Sequence, residues 1–158
     1  MPPIRRAKLR DALAARAQAA LDTARAAHAA AMEGATHAEA RPENDKDTRG
    51  LEQSYLARGL AARVAELEGA VSAIGLLPEA PAGAGAQLGA VVTAEDDDGK
   101  VARYFLAPWG GGELLPGEVT VVTPSSPIGR ALLGRDVDDE VEIQRPGGAR
   151  TLTITAIA

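Results

Sequence analysis

Four carboxylates crowd into the nine residues Glu39-Ala40-Arg41-Pro42-Glu43-Asn44-Asp45-Lys46-Asp47. Oxygen ligands of this kind suit a hard divalent cation, and Mg²⁺ in particular takes one or two carboxylates from protein while keeping several waters. The plain alternative is a polar turn that is charged only because it is solvated. A second acid run, Glu95-Asp96-Asp97-Asp98, leads into Gly99-Lys100. It too could ligate a cation, but Asp-Gly between two apolar runs is the signal of a tight hairpin, and charge keeps such a turn soluble. His28 and His37, the only histidines, are poorly placed for a metal site and read as surface residues. There is no Ser-His-Asp set, no phosphate-cradling glycine motif and no His/Cys cluster. The chain is therefore not read as an enzyme in its own right. Its acidic stretch needs a partner's groups to do chemistry.

Long helical patterns flank the acidic stretch. From Ile4 to about Glu33 there is no interior Pro or Gly, and strong helix formers dominate. Leu9, Leu13, Ala17, Ala20, Ala24, Ala27 and Ala31 recur three and four apart as one apolar stripe, and Gly34 is expected to end it. A second helix starts between Glu43 and Thr48 and runs to about Gly75, with Leu51, Tyr55, Leu60, Val64, Leu67, Val71 and Ile74 as its stripe. Joined by a short turn, the two pack antiparallel as a coiled coil about 45 Å long, with the acidic loop at its tip.

After the Pro/Gly/Ala stretch from Leu77 to Gln87 the apolar period shifts from 3.6 to 2. Strands are expected at 88–94, 101–107, 119–122, 140–144 and 151–157, with a short helix over 127–133 capped by Ser126 and stopped by Gly134. Trp109 with Gly110-Gly111-Gly112 reads as an exposed structural loop. The expected architecture is α+β. It comprises an N-terminal antiparallel two-helix coiled coil (1–77), a linker (78–87) and a small, mostly antiparallel β domain with one short helix (88–158).

Composition narrows the function classes. No apolar run approaches the roughly 20 residues of a membrane span. Met1-Pro2-Pro3 leads into charge rather than the apolar core of a signal peptide, so a cytoplasmic monomer without a membrane partner is expected. Aromatic residues make up only 3% of the chain, which argues against a large aromatic-lined pocket. The net charge of −5 is uneven: residues 78–158 hold 6 basic and 12 acidic side chains. Residues 1–31 instead carry Arg5, Arg6, Lys8, Arg10, Arg16 and Arg25 against Asp11 and Asp22. Arg5, Arg6, Arg10 and Arg16 are candidates to lie near nucleic-acid phosphate. Helical geometry spreads these cations around the axis instead of forming a stripe.

The segment Thr123-Pro124-Ser125-Ser126-Pro127-Ile128-Gly129-Arg130-Ala131-Leu132-Leu133-Gly134, followed by Asp138-Asp139-Glu140-Val141-Glu142-Ile143 and Arg145-Pro146-Gly147-Gly148, resembles the C-terminal domain of the bacterial Gre transcript-cleavage factors. The helical arm is similar to the same family's N-terminal coiled coil, so the resemblance covers nearly the whole chain. It implies that the β domain is FKBP-like and docks on RNA polymerase, with Ser126, Pro127, Ile128 and Arg130 in or beside the contact. Arg130 is expected at the surface, while Ile128, Ala131 and Leu132 pack the helix on the sheet. The arm would enter the polymerase's secondary channel and place its tip at an active-centre Mg²⁺, beside the nascent RNA 3′ end. That metal would be shared with the polymerase and not held stably by this chain alone.

Glu43-Asn44 matches the Glu-Asn pair of the family's Asp-x-x-Glu-Asn tip, but Ala40 stands where the family has Asp. Glu43 is then the metal ligand and Asn44 its support, with Asp45, Asp47 or Glu39 as replacements for the missing carboxylate. The implied function is stimulated cleavage of backtracked RNA. A secondary-channel regulator or inhibitor that does not stimulate cleavage is the alternative. An FKBP-like prolyl isomerase is disfavoured, because only Tyr104, Phe105 and Trp109 are available to line its pocket.

Overall fold

The computed structural model describes residues 4–39, 47–78 and 85–158. It contains two long helices, α1 (Arg6–Glu39) and α2 (Asp47–Gly75), six strands and one short helix. Its contacts divide into two units: Arg16–Ser72, and a second unit joining the residues up to Ala15 with Ala73–Ala158.

In the first unit the helices run antiparallel, since Arg25 pairs with Glu68 at 3.2 Å while Gly34 lies against Gln53. Helix α1 does not stop at Gly34. An interior glycine costs only about 1 kcal/mol relative to Ala, and a β-carbon there would come within 3.1 Å of Gln53 Oε1, so the glycine leaves room for that side chain. The buried stripe is also shifted. Leu21 is buried where Ala20 is half-buried, and Ala27 is exposed while half-buried His28 lies between buried Ala24 and Ala31. Steps of three and four both satisfy the helical period, and the larger leucine took the inner position.

Helix α2 departs further from expectation near its start. Gly50 and Ala57 are buried, whereas Leu51 and Tyr55 are exposed. On α1, Ala31 and Ala35 are buried and Gly34 lies against Gln53, so small residues take the inward positions of both helices. The bulky residues are left outside. Tyr55 stacks instead under the Arg58 guanidinium, 5.7 Å from its ring centre.

In the second unit a six-stranded sheet runs β3 (Leu114–Leu115), β4 (Val119–Val122), β2 (Val101–Leu106), β1 (Val91–Asp96), β6 (Gly148–Ile157) and β5 (Glu140–Arg145). All neighbours are antiparallel except β2 and β4, which are parallel. One face buries Val92, Tyr104, Leu106, Val141, Leu152 and Ile154 with Leu132 of helix α3 (Pro127–Leu132). The other face carries Val91, Phe105, Val119 and Val121, and the first turns of α1 belong to the same unit. Gly110, with φ of +88°, accommodates Leu13 of α1, whose Cδ1 would lie 2.8 Å from a β-carbon there. The glycine triplet is thus a packing device as well as a loop. Gly85–Gln87 are tied into the unit too: Ala86 exchanges backbone hydrogen bonds of 2.7 Å with Arg135 and Gly134.

The β1–β2 hairpin turns at Asp98-Gly99 as expected, with Gly99 at φ +78°. Asp96 organises it. Its Oδ1 accepts the N–H groups of Lys100 (2.9 Å) and Asp98 (3.0 Å), while Oδ2 accepts from Arg150 Nη2 at 3.0 Å. The Lys100 N–H above all, then the Asp98 N–H and the Arg150 guanidinium, hold the Asp96 carboxyl below the usual range against the opposing effect of its burial. Burial raises the hydroxyl pKa of Tyr104 on the same face.

A β-carbon at residue 129 would overlap the Thr123 carbonyl, so Gly129→Ala should destabilise the full chain by about 1–3 kcal/mol in chemical denaturation. Gly59 in α2 has nothing within 4 Å of such a carbon; Gly59→Ala should instead stabilise by up to about 1 kcal/mol. A second prediction follows from Asp96. A carboxyl whose folded pKa is depressed stabilises the fold above its unfolded pKa and loses that contribution as pH falls through the folded value. The stability difference between the native chain and Asp96→Asn should therefore be constant near neutrality and shrink below about pH 4. A difference that stayed constant into acid would show that the Asp96 charge contributes nothing.

Candidate functional site

The exposed end of α3 is the best-defined polar feature of the sheet unit. Ser126 caps the helix: its Oγ accepts the Gly129 N–H at 3.0 Å and donates to the Thr123 carbonyl at 2.8 Å. Pro127 occupies the first helical position, where a missing N–H costs nothing. Gly129 is buried against the Thr123–Ser126 turn, so the helix is seated backbone to backbone. Leu132 enters the core, with Ile128 and Ala131 partly buried against it. The next residue around the helix, Arg130, is exposed, and so is Pro127. A rigid turn with a guanidinium on its outer side can serve as a hydrogen-bonded anchor for another macromolecule.

This placement agrees with the expected division between an outward Arg130 and inward Ile128, Ala131 and Leu132. The motif also contains Gly129 and Thr123, whose seating role sequence reasoning did not assign. The Asp96–Arg150 pair was missed as well, because nothing local links residues 54 positions apart.

The acidic stretch is only partly visible. Glu39 ends α1 and Asp47 begins α2, while Ala40, Glu43, Asn44 and Asp45 lie outside the described residues. Among the described residues, no three His, Cys, Asp or Glu side chains are grouped so as to hold a metal. In the other acid run, the Asp96 carboxylate is engaged by the turn itself. The candidate RNA-proximal cations are not brought into one row: Arg5 is exposed, and Arg6, Arg10 and Arg16 are half-buried. Arg6 and Arg10 border a cavity of about 10 Å³ beside Phe105, room for roughly one water. Tyr104 and Phe105 are buried in the core, so these two aromatics do not line an open prolyl pocket. No described helix is long and apolar enough to cross a membrane.

Residues 84–158 match the family model described as "Transcription elongation factor, GreA/GreB, C-term". The GreA transcription elongation factor of Sphingopyxis alaskensis is 38% identical over 69 residues, 44% of this chain and 42% of that protein. The GreA factor of Solidesulfovibrio magneticus is 35% identical over 125 residues, covering 76% of this chain and 74% of that one. The first relatives are thus matched over only 42% to 60% of their own length. Among solved structures, GreA factor homolog 1 (Gfh1) of Thermus thermophilus is 22% identical with a TM-score of 0.40, covering 92% of this chain and 94% of that one. By its sequence relatives, the chain belongs to the GreA/GreB family of transcription elongation factors.

Proposed function

We propose that the chain is an accessory factor of RNA polymerase that docks through its sheet unit and delivers acidic residues to an active-centre Mg²⁺, stimulating cleavage of backtracked RNA. The observation that carries docking is the α3 geometry: an exposed Arg130 on a helix whose inner side is fixed by Gly129 and Leu132. Delivery of the acidic residues rests on the helix pair, because antiparallel α1 and α2 bracket residues 40–46. Metal-assisted hydrolysis supplies the chemistry. Glu43 would add a carboxylate to a Mg²⁺ held at the polymerase's active centre, supported by Asn44, and a metal so held would help to form the attacking hydroxide and offset charge on the leaving oxygen. The nascent RNA 3′ end is the substrate, and the catalytic centre is the polymerase's own.

Ala40 favours a second reading. With Ala where the family carries Asp, only one carboxylate stands at the matching tip positions. A factor with the same docking surface and a weak metal ligand set would occupy the secondary channel and modulate or inhibit the polymerase without cleavage. Glu39, Asp45 and Asp47 are the residues able to make up the deficit.

Binding and chemistry separate by mutation. Arg130→Ala should weaken binding to RNA polymerase by about tenfold or more with little change in melting temperature; unaltered binding removes Arg130 from the contact. The tip is tested by RNA shortening in stalled elongation complexes across a Mg²⁺ titration. Glu43→Ala should leave docking intact and lower cleavage, because docking is assigned to the other unit. Ala40→Asp should shift the Mg²⁺ dependence of cleavage to lower concentration. If Asp45→Ala or Asp47→Ala abolishes cleavage while Ala40→Asp changes nothing, the ligand has moved downstream. Absence of cleavage with every tip variant, Ala40→Asp included, makes the non-cleaving regulator the better reading.

A further inference from the structure

We propose that the helix pair self-associates, two copies of the chain packing their α1–α2 faces together as a four-helix bundle. The surface concerned is an open groove of about 320 Å³, with Met32 and Thr36 of α1 and Ser54 and Arg58 of α2 as walls. Buried Ala35 and Ala57 line it from below. All of these residues belong to the unit Arg16–Ser72, and none has been assigned a part in docking or in metal binding.

The apolar residues of this unit are distributed the wrong way round for a lone helix pair. Its buried apolar side chains are alanines apart from Leu21 and Leu67, whereas Met32, Leu51 and Tyr55 are 49%, 55% and 60% exposed. Single exposed apolar residues are ordinary, but large ones gathered beside an open groove mark an interaction surface. These three are so gathered. Met32 is itself a wall of the groove. Leu51 stands seven positions, about two turns, before Arg58 on the same side of α2, and the Tyr55 ring lies under the Arg58 guanidinium. A small unit with a thin core commonly gains stability by oligomerising.

The form of the face points to a second copy as its cover. A groove floored by alanine is a hole, and Met32 and Leu51 are knobs beside it, so one face carries both halves of a contact. An isologous two-fold interface needs such self-complementarity, each copy's knob entering the other's hole. The area is sufficient. Helices of about 25 residues, side by side, offer a face roughly 38 Å long and 20 Å wide, close to the about 800 Å² per partner of a standard interface. Charge does not oppose the contact: residues 16–72 hold 7 basic and 9 acidic side chains, so two copies repel only weakly. Among the described residues no carboxylate lines the groove, and Arg58 is exposed, so its guanidinium can stay hydrated at the rim.

Sedimentation equilibrium of the full chain tests this without polymerase, so its outcome is separate from that of the proposed function. A monomer–dimer equilibrium with a dissociation constant of about micromolar or tighter is expected. Met32→Glu and, separately, Leu51→Glu should weaken it about tenfold or more, because each puts an unpaired carboxylate into the apolar contact. Both positions are exposed in the single chain, so helicity by circular dichroism should be unchanged; Leu51→Ser, which adds no charge, serves where a glutamate lowers it. Leu56 and Arg58 flank buried Ala57 on opposite sides, so Leu56→Glu should leave the dimer intact. A chain that stays monomeric up to about 100 µM overturns the proposal. So does a dimer that survives both groove variants, or one that Leu56→Glu disrupts equally, since either places the contact elsewhere.

Discussion

A side chain at residue 129 would collide with the Thr123 carbonyl, and this contact decides how α3 meets the sheet unit. Helix α3 has only six residues, too few for stability from propensity alone. Its geometry instead comes from three short-range devices acting together. Ser126 closes the N-terminus onto both Thr123 and Gly129, Pro127 presets the first dihedral, and the bare glycine lets backbone rest on backbone. Leu132 then locks the far side into the core. Once those positions are occupied, Arg130 has only the outer side left. The surface feature is thus a consequence of the packing beneath it.

The helix pair solves a different problem with the same means. Alanine and glycine take the buried positions at the C-terminal end of α1 and the N-terminal end of α2, so little apolar area is buried per residue and the stabilisation per contact is correspondingly small. Leu51, Tyr55 and Met32 are left exposed in the same unit. A pair built this way depends on helix propensity and on ion pairs such as Arg25–Glu68, whose exposed geometry makes it worth little by itself. Its resistance to unfolding should therefore be lower than that of the sheet, where Phe105, Leu106, Leu132, Leu152 and Ile154 are fully buried.

Much of this was legible in the residues. The two long helices followed from long runs of Ala, Leu and Arg, although α1 runs on past Gly34, and the cap, proline and stop of α3 lie within nine residues of one another. The hairpin at Asp98-Gly99 was equally local. What failed was non-local. Periodicity could not tell Ala20 from Leu21, or Leu51 from Gly50, because the choice depends on the facing helix. Strand β3 is only two residues long, below the length at which alternation is readable. The parallel pairing of β2 with β4 depends on how the chain crosses between them, which no window of sequence contains. Of the site, the motif around Ser126 was readable and its division into inner and outer residues followed. Arg103 was not singled out, since a charged residue in a strand gives no sign that the sheet will bury it.

Charge distribution looks different once the units are known. By sequence the second half is strongly acidic and the first nearly balanced, but the structure assigns the first turns of α1 to the sheet unit. Arg5, Arg6, Lys8 and Arg10 therefore sit with a domain otherwise rich in carboxylates. An acidic domain repels nucleic acid at long range, which makes the lone exposed guanidinium of α3, followed by Asp136, Asp138 and Asp139, a better anchor for a protein partner than for a phosphate backbone.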